Sequence, residues 1–206
     1  MPVLFAMPAL FAGIMVGIVI MHTMVLAPTS RRTLEMAQAI ALMRALSSAY
    51  RALVFSFGAL AFIIVVFGKY GFTVQAVLAG VPGFLAGCAT GIIVMQTMVL
   101  APTLFRTLEM APAGALLRAL FPKFFLLIAA LGVATFVTTV FSEAGSTAQA
   151  ILAAVTIVLP LVCWALIPMT NQATDTGNTA RFKILHMTSV LLTVVVLLSN
   201  ITIALL

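Results

Sequence analysis

Residues 21–37 read MHTMVLAPTSRRTLEMA, and residues 95–111 read MQTMVLAPTLFRTLEMA. The offset is 74, and it extends beyond the phrase itself: Pro8 pairs with Pro82, Gly13 and Gly17 with Gly87 and Gly91, Leu46 with Leu120, and Gly58 with Gly132. A fixed period over this length points to one structural unit used twice, followed by a remainder. The division expected is an additional two-helix repeat at 1–74 and a four-helix domain at 75–206.

The solvent around that unit follows from composition. The 206 residues are 64% hydrophobic and 7% charged, against about 25% charged in soluble domains. So much apolar surface cannot be hidden in a soluble fold of this size, and lipid is the expected surrounding. A span needs about 20 apolar residues. Six segments approach that: Val3–Leu26, Ala52–Phe67, Val74–Leu100, Phe124–Phe141, Ala148–Pro168 and Ile184–Leu206. The second is short alone, but the apolar stretch before it can extend it. No ten-residue alternating strands occur, so the fold class is an all-α integral membrane protein, a six-helix bundle. The N-terminus has no basic region and runs into a long apolar stretch, which reads as a retained span rather than a cleaved signal.

Charge placement orients the bundle. Arg31, Arg32, Arg44 and Arg51 fall between the first two spans, Arg106, Arg118 and Lys123 between the third and fourth, and Arg181 and Lys183 before the sixth. Only Lys69 lies opposite. The net charge of +6 is thus a positive-inside signal, with both termini outside, and not a nucleic-acid signal. Each repeat reads as a helix, an interfacial stretch and a helix. An even number of spans per unit makes the two copies parallel, related by an axis along the membrane normal. The stretches Arg31–Arg51 and Phe105–Lys123 read as short helices at the inner surface, with Glu35 paired to Arg31 and Arg32, and Glu109 to Arg106.

Gly13 and Gly17, and Gly83, Gly87 and Gly91, recur every four residues and place small residues on one face of the first and third helices. In lipid such faces let backbones approach, within the chain or between copies. Cys88 and Cys163 read as small packing residues, Trp164 as core or lipid-facing. Asn200, Thr138 and Thr139 are candidates for interhelical hydrogen bonds.

Three phrases carry a family resemblance. GIIVMQTMVLAPTLFRTLEMAPAGALLRALFPKFF (91–125), LIPMTN (166–171) and ARFKILHMTSVLL (180–192) resemble the first hairpin, the end of the third helix and the last helix of the transmembrane protein 205-like family. That family is also filed as a domain of unknown function. The resemblance covers about residues 75–206 and implies a four-helix domain, with residues 1–74 an added copy of its first hairpin. It implies no settled activity. The added copy departs from the family pattern at Ser47-Ser48, where the second has Phe121-Pro122. LMRALSSAYR (42–51) and IPMTN are also similar to anthrone oxygenase-like membrane proteins.

Chemistry-bearing residues are few. No acid lies mid-span, which argues against a proton- or sodium-coupled transporter. No phosphate loop, His/Cys cluster or nucleophile elbow occurs. His22 and His186 are placed at similar depth and are the candidates for haem. With Met21, Met24 and Met187 they are the candidates for Cu(I), although methionine is also an adaptable packing residue. Gln96 replaces His22 in the second copy, so the repeat builds no symmetric ligand pair. Three function classes follow: an accessory or structural subunit of a larger membrane complex, a haem or copper protein, and a small-molecule carrier or cofactor-free oxygenase. The first is favoured, with no cofactor, because it asks for no residue the chain lacks. The expected partners are lipids, other integral membrane subunits or a second copy. The expected location is a bacterial inner membrane, with an organelle as alternative.

Overall fold

A computed structural model describes the backbone of residues 2–67 and 74–206 and the side chains of 7–66 and 79–206. Every regular element among them is helical. The order is α1 (Pro2–Ile20), π1 (Met21–Leu26), α2 (Ala27–Thr33), α3 (Met36–Phe67), α4 (Val74–Val94), π2 (Met95–Leu100), α5 (Ala101–Thr107), α6 (Met110–Val140), α7 (Thr147–Asp175) and α8 (Thr179–Leu205). The first three merge into one rod, as do α4, π2 and α5, leaving six helices long and apolar enough to span a membrane. Helices satisfy every backbone group internally, which hydrocarbon demands.

The boundaries have local causes. Leu34 and Leu108 are extended and end α2 and α5. The next helices restart at once, Gln38 Oε1 accepting from the Glu35 N–H at 3.3 Å. In the second copy Pro112 holds the place of Gln38, in a first turn where a missing N–H costs nothing. Ser146 and Gln149 form a capping box at the start of α7. Its far end closes at Gly177, whose φ of 66° suits glycine. There the N–H groups of Asn178 and Gly177 donate to Ala173 and Thr174. Asn178 Oδ1 then accepts from the Arg181 N–H at 3.0 Å and starts α8.

The stretches 31–51 and 105–123 are not separate surface helices. After the break at Leu34 or Leu108, most of each is continuous with the span that follows, because nothing from Met36 to Phe67 interrupts helix formation. At 32 residues, α3 is about 48 Å long and outruns a hydrocarbon core of about 30 Å. The same break removes the expected Glu35 and Glu109 ion pairs, since neither acid continues the helix of its arginines. The ion pair among the described residues is instead Arg118 with Asp175 at 2.5 Å, joining α6 to α7. Lys69 lies outside the described residues.

The bundle is built around α1 and α4. Of the most apolar window of each span, 61% is buried in the α4 rod and 6% in α3. Both copies bury matching positions, Ile18 with Ile92, Met21 with Met95, Leu26 with Leu100, Leu42 with Leu116 and Leu46 with Leu120. Successive helices run antiparallel. His22 meets Tyr50 and Phe11 meets Phe57 between α1 and α3. Asn200 Nδ2 donates to Thr156 Oγ1 at 3.1 Å between α8 and α7. Thr138 instead donates to its own helix, at the Ala134 and Thr135 carbonyls.

Candidate functional site

Two features organise the centre of the bundle, a glycine contact and the paired π turns beyond it. In the contact, a Cβ added to Gly13 would collide with the carbonyl oxygen of Phe84, and one added to Gly87 with that of Leu10. Likewise Gly17 lies against the Cys88 carbonyl and Gly91 against that of Ile14. Each contact is its counterpart shifted by 74 with the helices exchanged. The α1–α4 crossing therefore has local two-fold character, and the glycines are needed for backbone to touch backbone. Gly83 does not take part; it faces Ala204 of α8, with the nearest atom 3.6 Å from where its Cβ would be.

Beyond the glycines each rod widens into a π turn immediately before Ala-Pro. Proline lacks the N–H that would bond four residues back, and its ring crowds that carbonyl. The wider turn keeps the rod helical: the Ala27 N–H donates to the His22 carbonyl, and the Ala101 N–H to that of Gln96. Such turns concentrate at functional positions, and here they hold His22 and Gln96. The His22 ring stacks on Tyr50 of α3, centroids 4.2 Å apart. Its Nδ1 is buried without a hydrogen-bond partner, as is Oε1 of the buried Gln96. Nearby, Lys123 Nζ donates to the buried Thr29 Oγ1 at 2.8 Å, tying α6 to α2.

The other candidates lie in different surroundings. His186 is exposed and stacks on Phe182 of its own helix at 5.6 Å. Met21 is wholly in the core, whereas Met24 and Met187 are open on the surface. Among the described residues no three His, Cys, Asp or Glu side chains converge on a possible metal position. A recess lined by Phe125, Ile128, Pro160, Cys163, Thr193 and Val196 is too small to admit a water molecule.

Sequence reasoning missed Tyr50 and Gln96. Tyr50 carried a signal, since another aromatic residue, Phe124, stands at its repeat position. In the sequence Gln96 reads only as the residue that breaks the histidine pair, yet it is the more buried of the two.

Residues 84–179 match a domain of unknown function, DUF4149. The match runs from α4 through α7 into the start of α8, just under half of the chain. No curated protein and no solved structure matches the sequence. The chain is thus a multi-pass membrane protein of helical architecture, part of which is similar to an uncharacterised domain.

Proposed function

We propose that this chain is a non-catalytic membrane protein that serves as an accessory or structural subunit of a larger membrane complex. The α1–α4 crossing carries this reading. Carriers that alternate access rock one repeat against another around a central site. Here the centre consists of four glycines holding backbone against backbone, a contact that cannot part and re-form in small steps. A rigid centre of this kind suits a scaffold. In the same reading residues 1–74 are a duplicated hairpin added to a four-helix domain at 75–206. Both termini face outward, and the host is a bacterial cytoplasmic membrane.

The test is native mass spectrometry of the protein extracted gently from its own membrane. Polypeptides co-migrating in fixed ratio support the proposal; a lone chain refutes it.

A second reading, a haem- or copper-binding redox protein, is favoured by one observation, the buried and unpartnered His22 Nδ1 in a π turn. Extra mass equal to haem or copper, lost in both His22→Ala and His186→Ala, would establish it in place of the first.

A further inference from the structure

The two halves of the repeat differ in one place where their charges tell what should lie there. On α6, Arg118 pairs with Asp175 of α7, while Phe125 and Ala129 are buried, Phe125 against Pro160 and Cys163 of α7 and Val196 of α8. The equivalent positions on α3 are Arg44, Arg51 and Phe55. No helix covers them: both arginines are exposed, and Phe55 is 72% exposed. All four acidic residues of the chain are among the described residues, and neither Arg44 nor Arg51 has a carboxylate within salt-bridge distance.

Helix geometry places these groups in one line. At about 100° per residue, Arg51 lies two turns from Arg44 and Phe55 three turns, all within about 20° of a common face. Phe62, 67% exposed, continues the line. Ser48 falls between the arginines, where α6 has Pro122. About 20 residues of α3 suffice to cross the hydrocarbon, and counting back from Phe67 reaches Ser47 and Ser48. Arg44 and Arg51 therefore bracket the headgroup level, Phe55 lies at acyl-chain depth in the same leaflet, and Phe62, about 21 Å from Ser48, lies beyond the midplane. An apolar helix laid here, as α7 is laid on α6, would strip water from Arg51 and supply no counter-charge. A phosphate at the same level can bind both guanidiniums, and the acyl chains below it can cover Phe55.

We infer that the exposed face of α3 is a binding site for one phospholipid with an anionic headgroup, the lipid taking on α3 the place that α7 takes on α6. Arg44 and Arg51 hold the phosphate, and Phe55 lines the acyl chains.

The test is native mass spectrometry of the full chain in detergent, titrated with phosphatidylglycerol or phosphatidylcholine of identical acyl chains. The wild type should retain phosphatidylglycerol in preference. Each of Arg44→Gln and Arg51→Gln should lower that preference roughly fivefold, and the double variant should abolish it. Arg44→Lys with Arg51→Lys should largely keep it, and Arg118→Gln, whose partner is Asp175, should leave it unchanged. All the substituted side chains are exposed, and a thermal melt of each variant confirms folding. Equal retention of the two lipids, or an undiminished preference in the double glutamine variant, overturns the assignment. So does displacement by millimolar inorganic phosphate, which would identify a free anion as the ligand, or a co-purifying polypeptide that shields Arg51 from chemical modification.

Discussion

Replacing Gly17 with alanine adds one methyl group where α1 and α4 touch. The new Cβ would lie 2.8 Å from the carbonyl carbon of Cys88 and 2.9 Å from its Cα, and would overlap the carbonyl oxygen. Ordinary contact begins at 3.4 Å, so the backbones must separate by at least 0.6 Å. The obstacle is main chain on a buried helix, which has no rotamer to change. Separation also loosens the neighbouring contacts at Gly13, Gly87 and Gly91. Overpacking of this kind costs about 1–3 kcal/mol. For a chain of this length each kcal/mol lowers the melting temperature by roughly 2–4 °C. Gly91→Ala meets the Ile14 backbone in the same way and should cost about the same as Gly17→Ala. The double variant should cost less than the sum, because the first substitution has already opened the crossing. Gly114→Ala is the control: nothing lies within 4 Å of its added Cβ, so it should stabilise by up to about 1 kcal/mol through helix propensity. The assay is thermal unfolding in one detergent, followed by fluorescence of the single tryptophan, Trp164. Gly17→Ala and Gly91→Ala melting at or above Gly114→Ala would show that α1 and α4 are not in backbone contact.

Three further outcomes follow. Asn200→Leu should destabilise by about 0.6 kcal/mol, because it removes an amide whose Nδ2 donates to Thr156 and to the Val196 carbonyl while its buried Oδ1 has no partner; a melting temperature above wild type would show that the unpartnered oxygen outweighs the two bonds. His22→Gln, which copies the residue at position 96, should lower the melting temperature by about 1–6 °C, since it loses the stack on Tyr50 but no hydrogen bond from Nδ1; an unchanged melting temperature would show that the two rings do not stack. Cys88 and Cys163 are 2% and 1% exposed, so a membrane-permeant maleimide should label neither in the folded protein and both after denaturation, as read by intact mass; fast labelling of the native chain would contradict this packing.

The number of spans was readable because it is a linear property: apolar runs near 20 residues count helices. The prolines that call for the π turns were equally visible, as Ala-Pro-Thr in each copy. The partition of the glycine line was not. Gly83, Gly87 and Gly91 are one pattern in sequence, yet Gly83 faces α8 and the others face α1, because the bundle places different neighbours along one helix face. His22 and His186 looked alike at similar depth, but one stacks on Tyr50 of α3 and the other on Phe182 of its own helix.

The contrast between α3 and α6 shows where the division falls. Sequence by itself determined two apolar spans, each preceded by an arginine at an equivalent position, since hydropathy acts through the local chain and its solvent. That each arginine belongs to the spanning helix itself was not legible there. Only the tertiary structure decided that Arg118 meets Asp175 while Arg44 meets none of the chain's four carboxylates. The physical reason is that the hairpin α7–α8 can lie against only one of two nearly equivalent surfaces.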